Sequence, residues 1–154
     1  MQVSVILHDI RSEHNVGSIF RTADGAGVSK IYLCGYTSAP VDRFGRAVGA
    51  IAKVALGAEK AVSWERAEIT SLLPSLKSAG TQIVALEQAP ASVPYDRFKP
   101  AGTMALILGS EVGGIPPEVL KEADAIIEIP MHGIKESLNV SVAAGVVLYQ
   151  LIRH

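Results

Sequence analysis

A chain of 154 residues with 49% hydrophobic and 19% charged side chains is long enough to bury one full core, and it reads as one domain over residues 1–154. Its net charge of −1 excludes a strong global field for nucleic acid, and 5% aromatic content argues against a base-stacking platform of the single-strand-binding type. So much apolar surface beside so few charges favours a homo-oligomer.

Residues 3–7 are a short β-rich apolar run between polar neighbours, which predicts a buried strand. This run is too short for a signal peptide or membrane span, so a cytoplasmic protein is expected. Residues 8–14 read as a polar loop. Asn15 is placed as the N-cap of a helix over 16–26, with Ile19, Phe20 and Ala23 on its apolar face and Gly25 and Gly27 at its end. A second strand follows at 31–34. It ends on Cys34, the one cysteine, which cannot form an internal disulfide and is expected to be a buried thiol. Residues 36–45 are turn-rich, 46–56 look helical, and 60–64 suggest a short strand. A helix over 69–79 ends at Gly80, a strand covers 82–86, and 89–100 is a loop with three prolines. Another strand at 104–108 leads into a glycine-rich loop over 109–116. Pro117 suits the first turn of a helix over 118–123. The last strand, 125–129, breaks at Pro130 and Gly133, and a helix restarts at Ser137 or Asn139. On that helix Val140, Ala143, Ala144, Val147, Leu148 and Leu151 recur at helical spacing. Almost nothing is charged before Arg153, so burial nearly all round is expected.

Apolar strands alternating with helices predict an α/β protein with a mostly parallel sheet and helices on both faces. Ligands of such sheets bind beyond the carboxyl ends of the strands, here the loops after Leu7, Leu86, Leu108 and Ile129. Residues 1–57 hold six Lys/Arg against four Asp/Glu, and 67–154 hold six against nine, so any cationic patch belongs to the first third.

Several familiar patterns fail on inspection. Gly109-Ser-Glu-Val-Gly-Gly114 has phosphate-loop glycines, but Ile115-Pro116 stand where Lys and Ser/Thr are required. Gly25-Ala-Gly27 closes a helix where a dinucleotide motif would open one. Ser110 lacks the glycine two residues earlier that a nucleophile elbow needs. His8, His14, His132 and His154 show no metal-ligand spacing, and no metal is expected.

Three constellations remain. In Asn15-Val-Gly17-Ser-Ile-Phe-Arg21, Gly17 lets another backbone approach, and Arg21 is expected on or near the face of Asn15. It would serve either as a surface arginine or as a fork for phosphate or carboxylate. In Leu108-Gly-Ser-Glu111-Val-Gly-Gly114, a carboxylate sits between glycines at a strand end. At the start of the last helix, Glu136, Ser137 and Asn139 are polar groups that either cap it or bind a ligand.

Taken together and in this order, the three stretches resemble the motifs of the SpoU branch of the SPOUT RNA methyltransferases. The likeness also takes in Ala55-Leu-Gly-Ala-Glu-Lys60 and covers nearly the whole chain. It implies S-adenosylmethionine as methyl donor, a ribose 2′-hydroxyl of RNA, tRNA before ribosomal RNA, as acceptor, a homodimer, and a deep trefoil knot in the C-terminal third. By matching motif, donor contacts are expected at Leu86, Glu87, Gly109, Ile129, Met131, Ser137 and Leu138. The catalytic set implied is Arg21, Asn15, Glu111, Ser137 and Asn139. Arg21 orients the nucleophile, or acts as base only with help from a substrate phosphate, since a guanidinium stays protonated. Asn15 and Asn139 hold Arg21 and the ribose, while Glu111 anchors Arg21 or the backbone across the dimer interface. Many relatives add an RNA-binding domain or basic extensions. Here Arg11, Arg43, Arg46 and Lys53 are the candidates for phosphate contacts. Two other readings stay open: a donor- or RNA-binding module without catalysis, and methylation of a base nitrogen.

Overall fold

The computed structural model describes residues 1–153; His154 lies outside the described residues. In the strands every second side chain faces one apolar layer and the alternate ones another, the pattern of a sheet covered on both faces. On one side Val5, Leu7, Ile31, Leu33, Val84, Leu106 and Leu108 join one core. Ile6, Cys34, Ile83, Ala85, Ala105 and Ile107 belong to the second. The strands are β1 (Val3–His8), β2 (Lys30–Cys34), β3 (Trp64–Ala67), β4 (Gln82–Leu86), β5 (Val93–Pro94), β6 (Met104–Leu108) and β7 (Ala125–Glu128). They form one sheet in the order β3-β2-β1-β6-β4-β7-β5, and every ladder in it is parallel. The register pairs Val5 with Leu106 and Val84 with Leu106, which sets the carboxyl ends of β1, β6 and β4 side by side.

The helices are α1 (Glu13–Ala26), α2 (Gly49–Ala55), α3 (Ala58–Ala61), α4 (Ile69–Ser78), α5 (Pro117–Leu120) and α6 (Val140–Ile152). Residues of α1, α2, α3 and α6 join the first core, and those of α4 and α5 the second. Gly17 does what its position suggested. A Cβ there would lie 2.7 Å from the Ile51 carbonyl oxygen, so only glycine lets α1 and α2 approach this closely. Cys34 is buried, and burial, with Glu68 adding to it, pushes its thiol up to about 12.

Some expectations change. Ser12, not Asn15, caps α1: its side chain accepts from the Asn15 amide, and the helix opens at Glu13. The helix expected from Arg46 starts only at Gly49, because the amides of Arg46 and Val48 are taken by Asp42 Oδ1 and the Pro40 carbonyl. Of residues 60–64 only Trp64 is in a strand. Residues 58–61 form the short helix α3, in which Glu59 accepts from the Gly57 amide, and the strand begins at Trp64. The proline-rich loop contains the two-residue edge strand β5. The last helix is not buried all round either. It packs on one side only, with Ala144, Val147, Leu148 and Leu151 inside, while Val142 and Tyr149 are each 52% exposed.

Candidate functional site

The loop after β6 folds back on itself. Ser110 and Gly114 exchange backbone hydrogen bonds of 3.2 and 3.0 Å, and this hairpin presents Glu111. Its carboxylate accepts from the amides of Arg11 and Ser12 at 3.1 and 3.2 Å, and from Asn15 Nδ2 at 3.1 Å. Asn15 Oδ1 in turn accepts from Asn139 Nδ2 at 3.2 Å. Asn139 Oδ1 caps α6 by accepting from the Ser141 amide at 2.9 Å and from the Ser141 hydroxyl at 2.6 Å. Segments 96 and 124 residues apart are thereby linked through one buried asparagine. Burial pushes the Glu111 carboxyl up. Hydrogen bonds from its own amide, from Arg11, from the Asn15 side chain and from Ser12 outweigh it, leaving the pKa below its ordinary 4.5.

Beside this chain of hydrogen bonds opens a cavity of about 460 Å³, walled by the segments that follow β4, β6 and β7 and by the start of α6. Leu86, Glu87, Gly109, Ile129, Met131, Ser137 and Leu138 all line it, as do Glu111 and Asn139. Gly109 has no room for a side chain, since a Cβ would sit 2.6 Å from the Gly114 carbonyl carbon. Glu87 fastens the far side of the hairpin by accepting from the Ile115 amide at 2.8 Å. Glu87, Glu111, Glu128 and Glu136 line the space, and among the described residues no lysine, arginine or histidine does. Carboxylates between aliphatic walls suit a flat, apolar group bearing a positive charge, and they disfavour a phosphate.

A family model described as the SpoU rRNA Methylase family matches residues 2–149. This chain belongs to that family. A tRNA (guanosine(18)-2′-O)-methyltransferase of Aquifex aeolicus is 36% identical, over 97% of this chain and 68% of that protein. A 23S rRNA (guanosine-2′-O-)-methyltransferase, RlmB, of Vibrio vulnificus is 30% identical, over 97% of this chain and 58% of that protein. The structure of an AdoMet-bound rRNA methyltransferase from Sinorhizobium meliloti superposes with a TM-score of 0.89 at 34% identity, covering 99% of this chain and 56% of that one. This chain thus spans little more than half the length of these two ribosomal RNA relatives.

The remaining expected residues of this family member lie apart. Arg21 is exposed and is not among the residues that line the cavity, and its side chain makes no hydrogen bond among the described residues. Asn15 and Arg21 do not share a face. Six residues at about 100° each bring the chain through 600°, which leaves them roughly 120° apart around α1, so Asn15 turns inward while Arg21 turns out. Within its own chain Glu111 anchors the backbone at the start of α1, through the Arg11 and Ser12 amides. Of the expected phosphate contacts, Arg11, Arg43, Arg46 and Lys53 are all exposed. Arg11 stands beside the site; Arg43 and Arg46 stand on a separate turn after β2. The sequence reading missed Ser12, Ser141 and Glu128. Ser12 carried a signal, since Glu13 follows it as the acidic first-turn residue that a capped helix favours.

Proposed function

We propose that this SpoU methylase, acting as a single domain in the cytoplasm, transfers a methyl group from S-adenosylmethionine to a ribose 2′-hydroxyl of tRNA or ribosomal RNA. One observation carries the reading: the Glu111–Asn15–Asn139 chain unites three distant motifs at the rim of a carboxylate-lined cavity. The printed activities of the tRNA and ribosomal RNA relatives support it. The residues fit the donor: Ile129, Met131 and Leu138 offer apolar walls for an adenine, and the glutamates offset a sulfonium charge. When bound, the donor supplies an activated methyl group, which the 2′-oxygen takes in line as the carbon–sulfur bond breaks and the hydroxyl proton leaves. Ser137, at the cavity wall, contacts donor or ribose, and Asn139 holds the ribose edge.

Arg21 orients the 2′-oxygen, and the hydroxyl proton passes to an oxygen of a substrate phosphate. Arg21 is exposed beside the contact of α1 with α6, where Thr22 meets Gly145. The open apolar stripe of Val142, Val146 and Tyr149 lies on that same α6. A homodimer through this face brings Arg21 of one chain to the cavity of the other. The trefoil knot is part of the proposal. After β7 the chain runs past the end of β4, where Gln88 Nε2 donates to the Glu136 carbonyl at 2.6 Å, before α6 packs on α1.

The test combines protein, labelled donor and unmodified pools of tRNA and ribosomal RNA, followed by nuclease digestion and mass spectrometry. Label on a 2′-O-methyl nucleoside supports the reading. Label on a base alone, or donor binding with no transfer to either pool, refutes it. Sedimentation at several concentrations tests the dimer, and pulling the chain from both ends tests the knot, which would leave the extended length short.

A further inference from the structure

The connection after β2 holds a turn that the catalytic reading does not use. Val41 and Ala47 form an antiparallel bridge at its base. Asp42 ties the rest together: Oδ1 accepts from the amides of Phe44 and Arg46 at 2.8 and 3.0 Å, and its backbone exchanges hydrogen bonds with Gly45 and Arg46. Gly45 supplies the left-handed residue, at φ 77°. Phe44 stands on this turn 66% exposed and belongs to neither core. Two guanidiniums lie over its ring, Arg43 at 4.8 Å and Arg46 at 5.0 Å from the centroid. They are not equivalent. Arg46 is held by an ion pair of 2.9 Å to Asp42, whereas Arg43 makes no ion pair among the described residues.

A rigid turn that keeps an aromatic ring in water gains nothing from burying it. Its hydrogen bonds preorganise a flat apolar face between cationic side chains, in a segment where basic residues outnumber acidic ones. The turn follows the carboxyl end of β2, and the sheet opens its cavity at the same edge. Ser38, earlier in this connection, donates to Glu13 at 3.4 Å, beside the Ser12 that Glu111 holds. From the exposed ring, the fixed Arg46 and the free Arg43, we infer that the 41–47 turn is an RNA-docking element in which Phe44 stacks on an unpaired base. In that complex Arg43 leaves the ring to pair with a backbone phosphate, and Arg46 stays on the ring under the control of Asp42. Low aromatic content excluded an extended stacking platform, and one presented ring does not need one. This inference rests on the RNA reading above and adds the residue that grips the substrate away from the reacting ribose.

The full-length protein is titrated with an unmodified tRNA transcript and, separately, with donor alone. Phe44→Leu keeps an apolar side chain but removes the π face. It is expected to weaken RNA binding about tenfold or more and to raise KM for RNA, with kcat, donor affinity and melting temperature unchanged. Phe44→Trp is expected to keep binding, and its added indole fluorescence is quenched by RNA beyond the background of Trp64. If Phe44→Leu and Phe44→Ala both bind RNA within about twofold of the parent, the inference falls while the methyltransferase reading stands, and the ring then serves another surface such as a protein. Binding by Phe44→Trp without quenching also overturns stacking. A parent protein that neither binds nor methylates any RNA removes both.

Discussion

Asn15 and Arg21 sit on the same helix, six residues apart, and their circumstances are opposite. Asn15 is buried, and its side chain donates one hydrogen bond to Glu111 and accepts one from Asn139. Arg21 is exposed and has no partner among the described residues. The first is committed to architecture within one chain, because a buried amide without partners would cost more than it gives. The second is a solvated charge, which the proposed function assigns to the acceptor. On that proposal, assembly of the cavity and engagement of the acceptor are separate and can be broken separately.

Arg21→Ala is expected to have the largest effect, a fall on the order of 10²–10⁴-fold in methyl transfer, with donor affinity and thermal melting unchanged. Single-turnover transfer beside calorimetry of donor binding measures both. If the variant retains full activity, Arg21 has no part in the reaction. Asn15→Ala should behave differently, losing about 1–3 kcal/mol of stability in a urea titration as well as activity, because Glu111 and Asn139 each lose a partner. Were Asn15→Ala as stable as the parent, the contrast drawn here would collapse. Gly17→Ala tests the framework alone: the added methyl group meets the Ile51 carbonyl at 2.7 Å. A loss of about 1–3 kcal/mol is expected, with no change in KM for RNA at temperatures where the protein is folded. The smallest effect is one of pH. The Glu111 pKa is depressed in the folded chain, so near and below 4.5 the unfolded chain binds more protons. The stabilisation from Glu111 is therefore present above 4.5 and is lost as pH falls through the folded value. Glu111→Gln should flatten that part of the stability–pH curve, and an unchanged curve would remove Glu111 as its source.

The strands were readable wherever both faces are buried. β4 and β6 span the residues that their continuous apolar runs suggested, since nothing in those runs competes with burial. Helix starts were harder. Ser12 and Asn15 are both good caps, and the choice between them is made by Glu111, 96 residues from Asn15. The late start of α2 has a similar cause, because Asp42 claims backbone amides that local propensity would have given to the helix. The motif order placed Glu111, Asn15 and Asn139 on one edge of the sheet. What it could not convey was direction around α1, and hence the outward turn of Arg21. The aromatic turn was hidden for another reason: Phe44 is one of three phenylalanines, and composition does not say which of them stays in water.

The Glu87 carboxylate bears on how the donor enters and leaves. It couples the end of β4 to the Ile115 amide at 2.8 Å, and Gly114 packs directly against it. The hairpin carrying Glu111 is therefore fastened at both flanks and forms the stationary jaw of the cavity. On the opposite side residues 132–138 are exposed, and among the described residues their one tertiary hydrogen bond is from Gln88 to the Glu136 carbonyl. Traffic in and out of the cavity then passes at this lip, and amide exchange there should be fast without donor and slow with it, while the 109–114 hairpin changes little.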